Sequence, residues 1–249
     1  MNERDTGLPA SLESLWGLRE RPTKGPRPTL SLGRIVDAAV AVAAAEGVAA
    51  VSMGRIAKHL GSSPMSLYRY VAAKDELYPL MVESVTPEPP ALDAETDWRQ
   101  GLIHWASRLR DVYRENLWVL RIPVSGPPVT PRQVQWMEQA LGAMSATGLD
   151  EGEKLSVVTL LAGFVRHETT LIADLTETYR TSGVTAEESL ARYGKLLRTV
   201  TDPERFPAVS RLLDSRELEG PADPDYDFRF GLNRILDGVE ALITQRPRP

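Results

Sequence analysis

The chain has 249 residues, 42% of them apolar, enough for one large domain or two small ones, and a formal net charge of −5. With no cysteine, disulfides, thiolate metal sites and a cysteine nucleophile are excluded. No run of eighteen apolar residues occurs and the N-terminus lacks a signal-peptide pattern, so a cytoplasmic protein without a membrane span is expected.

In chain order, residues 1–30 are rich in Pro, Gly and charge and read as a mostly disordered basic arm. Within them Leu12, Leu15 and Trp16, behind a Ser11 cap, form one amphipathic turn that can dock on the body. From Ser31 the texture changes. Ser31 caps a helix with Ile35, Ala39, Val42 and Ala43 on one face, and Gly47 stops it. A second helix spans Ser52 to Gly61, and a third runs from Ser63-Pro64 to about Val71. A fourth starts near Lys74-Asp75 and ends at the Pro87–Pro90 break.

Beyond the break, Thr96 caps a helix with Trp98, Leu102, Trp105 and Leu109 on one stripe. A Pro- and Gly-rich loop follows, and Thr130-Pro131 opens a helix carrying Val134, Met137, Leu141 and Met144. A long helix covers about Asp150 to Thr181, and Thr185 with Glu188 is a capping box for the next. The last helix, about Asp225 to Arg246, places Leu232, Ile235, Leu236, Val239 and Leu242 on one face. No strand alternation occurs, so the fold class is all-α, with the arm at 1–30, a first domain at 31–86 and a larger one at 91–246.

The charge is unevenly spread. Between Arg19 and Lys74 nine cations face three anions, a net of +6, which leaves −11 for the remainder. A phosphate-binding head on an acidic body has this signature, as does a solvated basic linker.

Ser52 to Lys74 reads as two short helices joined at Gly61, a helix-turn-helix. Ile56, Ala57, Leu60, Leu67 and Val71 are the packing positions, and Gly61 supplies the left-handed turn. The other faces of the second helix offer hydroxyls, aromatics and one Arg, which suit phosphate oxygens and base edges.

Ser31 to Val85 resembles the DNA-binding domain of the tetracycline-repressor family. The likeness is carried by Ala38-Ala39 through Gly47 to Ser52, by Leu60-Gly61, by Met65-Ser66-Leu67-Tyr68-Arg69-Tyr70-Val71, and by Lys74-Asp75-Glu76-Leu77. It implies that Ser52 caps the first helix of the motif beside a phosphate. Tyr68, Tyr70 and Lys74 match backbone-contacting positions, while Ser63, Met65, Ser66 and Arg69 face bases or sugars. Gly54 stands where the tetracycline repressor has a base-reading Arg, so Arg55 substitutes or the contact is missing. The tail from Phe228 to Ile243 is similar to the last helix of the family branch closest to the tetracycline repressor. That likeness implies a homodimer through Leu232, Ile235, Leu236, Val239 and Leu242, on a two-fold double-stranded operator.

The resemblance also implies an effector pocket in the second domain, with Trp105, Tyr113, Trp118, Trp136, Met137, Arg166 and His167 as its candidates. Such a lining suits a sizeable, largely apolar small molecule. Trp98 and Trp105 also fit a plain core stripe, whereas Trp136 sits off its helix's main stripe. Arg166 and His167, on an apolar helix, either anchor a ligand or pair at the dimer seam. His167-Glu168 begins like a zinc-protease helix, but the second His is missing. No metal-ligating His occurs in Leu120–Pro128, which argues against a metal-chelated tetracycline.

A ligand-relieved repressor is therefore expected, without a cofactor. A DNA binder lacking the ligand switch, or an activator, is the alternative. An enzyme or a pure ligand carrier is disfavoured by three scattered His and by the absence of a Gly-rich phosphate loop or nucleophile elbow.

Overall fold

A computed structural model describes residues 6–18, 30–91, 96–124, 126–215, 217–218 and 223–245. The Arg19–Arg27 segment of the basic arm lies outside these residues. All regular structure among the described residues is helical: α1 (Ala10–Leu15), α2 (Leu32–Glu46), α3 (Met53–His59), α4 (Pro64–Leu67), α5 (Leu77–Val85), α6 (Trp98–Glu115), α7 (Pro131–Ala143), α8 (Glu151–Ser182), α9 (Ala186–Val200), α10 (Pro207–Asp214) and α11 (Tyr226–Thr244), with short 3₁₀ turns at Val48–Ala50, Lys74–Glu76 and Leu117–Arg121.

The chain forms two compact units, one of residues 1–162 with 243–249 and one of residues 163–242. The first unit does not part at the Pro87–Pro90 break. The backbone N–H of Arg132, in the first turn of α7, donates to the Glu83 carboxylate on α5 at 3.0 Å, and the Arg132 guanidinium pairs with Glu88 at 2.8 Å. A carboxylate on the open amides of a helix start is favourable by charge and by hydrogen bonding.

The head, α2 to α5, follows its sequence signals. Ser31 caps α2 by accepting from the Arg34 amide, and α2 ends at Gly47. Ile35, Ile56, Leu67, Leu77 and Met81 are fully buried at its centre. Each such side chain contributes about 1.5–3 kcal/mol relative to exposure.

Two elements were not foreshadowed. The 3₁₀ turn Leu117–Arg121 sends Trp118 and Val119 into the head's core, with Ile122 behind them, although all three follow α6 in the chain. The other is α10, which packs on α9 in the second unit. Several boundaries also moved. Asp97 caps α6 in place of Thr96, because its carboxylate accepts from both the Arg99 and Gln100 amides. Pro9 precedes α1, and Ser11 lies inside the helix and is buried.

The second unit holds most of α8, then α9 to α11. The reciprocal Thr185–Glu188 cap opens α9, at 3.1 and 3.0 Å. On α11, Gly231 lets the Phe164 ring of α8 lie against the backbone, since a Cβ there would meet that ring at 2.6 Å. Phe164 also stacks on Phe228, with centroids 5.8 Å apart. By length and composition α8 is apolar enough to cross a bilayer, although its apolar residues are interrupted by polar ones. Its middle nevertheless carries Arg166, His167 and Glu168, an expensive trio in hydrocarbon.

Candidate nucleic-acid interface

Helices α3 and α4 meet across a turn at Gly61, whose φ of +61° is the left-handed value that a Cβ opposes. Ile56, Ala57, Leu67 and Val71 are buried between the helices, with Leu60 partly so. Regular α-helix in α4 ends at Leu67, short of the expected Val71. Tyr70 and Val71 continue the turn by donating to the Leu67 carbonyl.

The polar faces stay open. The Ser52 hydroxyl oxygen accepts from the Arg55 amide at 3.2 Å, and its own proton remains available to an outside acceptor. Ser63 does the same for the Ser66 amide, and the two serine hydroxyls lie 2.9 Å apart. Met65 is 75% exposed, with Tyr68 and Arg69 exposed beside it. A solvent-facing Met flanked by hydroxyls, a phenol and a guanidinium is unlike a core face and suited to a partner with π-faces and phosphates. Lys74 sits half-buried at the next helix start, its ammonium 5.6 Å from the centre of the Tyr78 ring.

Two candidates are already engaged. The Tyr70 hydroxyl donates to the Leu30 carbonyl at 2.9 Å, so its proton pins the entry to α2 rather than pointing outward. Arg55 donates through Nε and Nη2 to one Glu46 oxygen, at 3.2 and 2.6 Å. Both partners are well exposed, so this pair adds little stability, but it fixes where the guanidinium lies. Gly54 opens on empty space, with nothing within 4 Å of a Cβ built there.

The residues expected around an effector fall in different settings. Trp105 and Trp136 are buried edge-to-face at 6.0 Å, and the Trp105 indole donates to the Trp136 carbonyl at 2.9 Å. Trp118 and Tyr113 pack with the head's core, which makes them part of the seam between head and body. Met137 and Arg166 are half-buried, and His167 is exposed. Neither of two surface depressions, one beside Trp16 and α7 and one between α9 and α10, includes any of the seven.

The α11 stripe also divides. Leu232, Leu236 and Val239 are buried within this chain and fill its own core, while Ile235 and Leu242 are half-buried. The apolar residues left outside are others: Leu160, Leu171 and Leu175 on α8, with His167 among them, and Tyr226 and Phe230 on α11. Sequence reasoning missed this stripe because exposed Leu at helical spacing looks the same as buried Leu before the neighbours are known. The spacing Leu160, His167, Leu171 was the available signal.

Comparison with known proteins places these features. Residues 35–80 match the model for bacterial regulatory proteins of the tetR family, and residues 89–243 that for the tetracyclin repressor-like C-terminal domain. The HTH-type transcriptional repressor DrrR1 of Streptomyces coeruleorubidus is 38% identical over 239 residues, covering 95% of this chain and 87% of the relative. Among solved structures, the Streptomyces coelicolor TetR family protein ActR in complex with actinorhodin superposes with a TM-score of 0.71 at 26% identity, over 88% of this chain and 99% of that one. The ActR complex with (S)-DNPA gives 0.68, at 26% identity over 86% and 98%.

Proposed function

The chain belongs to the tetracycline-repressor family and is a DNA-binding transcriptional repressor of that family; on that premise we propose that it acts as a homodimer on a two-fold operator and is released by a small-molecule ligand. The observation that carries the DNA reading is the open set formed by the helix caps Ser52 and Ser63, by Met65 and the partly exposed Ser66 on α4, and by Tyr68 and Arg69 just beyond it. Such a set beside a half-buried Lys74 offers donors to phosphates and a compact probe for base edges. A protein that reads chromosomal sites works in the cytoplasm of a bacterial cell.

The dimer reading draws on the uncovered apolar stripe of α8. Only 33% of its most apolar window is buried in the chain, and a second copy of the same face would cover the rest. Two heads related by a two-fold axis would then meet half-sites about 34–36 Å apart.

The ligand reading draws on ActR, whose structures hold actinorhodin or (S)-DNPA. A ligand acts on such a switch only through different affinities for the DNA-competent and incompetent states. A second reading, repression without a ligand switch, is favoured by the buried Trp105–Trp136 pair, in which two of the expected lining residues pack against each other.

Footprinting on the promoter beside the protein's own gene tests the core of the proposal. A discrete two-fold protected site is expected, and protection without a boundary would overturn it. Adding actinorhodin or (S)-DNPA as first probes should weaken protection under the ligand reading and leave it intact under the second.

A further inference from the structure

Helix α1 lies ahead of the helix-turn-helix domain yet is built into it. Leu12 is buried as part of the head's core, and Leu8 and Leu15 pack against that core. Ser11, 2% exposed, donates to Glu76 Oε2 at 3.3 Å. The same carboxylate oxygen accepts from the Ala72 amide at 3.3 Å. Ala72 belongs to the turn between Val71, which ends the recognition segment, and Lys74. One oxygen thus holds both α1 and the turn that presents Lys74.

The other end of α1 is fastened elsewhere. The Trp16 indole donates to the Val129 carbonyl at 2.9 Å, although Trp16 remains 41% exposed. Val129 lies in the α6–α7 connection, the stretch whose Trp118 and Val119 enter the head. More than half of the Trp16 surface is covered, and the directional N–H bond adds to that burial by fixing which way the ring lies.

We propose that α1 is a positioning strap, in which Ser11 and Glu76 set the Lys74 turn and Trp16 references it to the α6–α7 connection. The strap itself touches no DNA. It acts through Lys74, and in that respect rests on the reading of Lys74 as a phosphate contact. Releasing the Ser11 end frees Glu76 Oε2 directly, and releasing the Trp16 end loosens α1 and with it the Ser11 bond, so that in both cases the Ala72–Ala73 turn opens more often.

Peptide-resolved hydrogen exchange on the full chain tests this without DNA. Trp16→Phe keeps an aromatic ring, although a smaller one, and removes the donor, and Ser11→Ala removes the other end. Each should speed exchange of the Ala72 to Glu76 amides by about fivefold, as expected for one lost hydrogen bond. If either variant leaves those amides unchanged, with effects confined to its own neighbourhood, the strap is overturned. A second arm uses a duplex selected from a random library by the wild-type chain. Trp16→Phe should weaken binding to it by about threefold or more, and should add nothing further in a Lys74→Ala background. Additive losses in the two variants would also overturn the strap. Failure of the wild type to select any duplex would instead sink the DNA reading, and the exchange result would still decide the strap.

Discussion

Trp136 donates its indole N–H to the carbonyl oxygen of Pro87 at 3.0 Å, tying the middle of α7 to the segment just beyond α5. Because the Trp136 carbonyl in turn accepts from Trp105, three elements share one chain of hydrogen bonds. Trp136→Phe keeps most of the ring but leaves the Pro87 carbonyl without this donor. It should cost about 0.5–1.5 kcal/mol, since Pro87 is exposed and water can take the place of the lost donor. For a chain of this size each kcal/mol lowers Tm by about 2–4 °C. A melting curve that does not move would mean that this bond contributes nothing to the stability of the first unit.

Arg69 and Lys74 should fail in different ways. Lys74→Ala is expected to weaken binding to every duplex and to lower the slope of log affinity against log salt by about one. Arg69→Ala, if its guanidinium reads a base, should cost about 1–3 kcal/mol on the operator and much less on random DNA. Equal losses on both duplexes would move Arg69 from base reading to the phosphate backbone.

The two tyrosines of α4 and its turn separate cleanly. Tyr70→Phe loses the bond to Leu30 and should lower stability by about 0.5–1.5 kcal/mol. Tyr68→Phe, on an exposed ring, should leave stability within about 0.5 kcal/mol and lower DNA affinity. Denaturant melts paired with binding titrations make the comparison. The assignment is wrong if the stability loss falls on Tyr68→Phe.

The two apolar faces of the second unit make a similar contrast. Leu171→Glu changes an exposed side chain, so the protomer's own stability should move by no more than about 0.5 kcal/mol. Sedimentation should nevertheless show it as a monomer, in contrast to the dimer proposed for the wild type. Leu236→Ala opens the interior of the protomer and should cost about 2–5 kcal/mol. A Leu171→Glu chain that still sediments as a dimer would place the seam elsewhere.

Much of the head was legible because its signals are local. Ser31 and Ser52 act as caps, and Gly61 takes the left-handed conformation it was expected to take. Thr185 and Glu188 likewise needed only four residues of context. What could not be read were choices settled by distant neighbours. Leu-Trp-Val-Leu-Arg-Ile at 117–122 has no clear period, and nothing local says that Trp118 belongs to the head's core. Tyr70 matches a backbone-contacting position by resemblance, and nothing local shows that its hydroxyl donates to the Leu30 carbonyl forty residues earlier. The α11 stripe was visible as a stripe, but which of two faces turns inward depends on Phe164 and its neighbours on α8.

Gly54 has one more implication, for how such a regulator changes over generations. It lies in the first turn of α3, where a glycine costs up to about 1 kcal/mol relative to alanine, and a side chain added there meets nothing within 4 Å. Most substitutions at this position therefore gain helix propensity and disturb no packing. If α3 lies against DNA as proposed above, a single codon change could add a new base or phosphate contact while the scaffold stays intact. Operator preference would then be free to drift independently of foldability, and duplicated copies of the gene could part company through this one blank position.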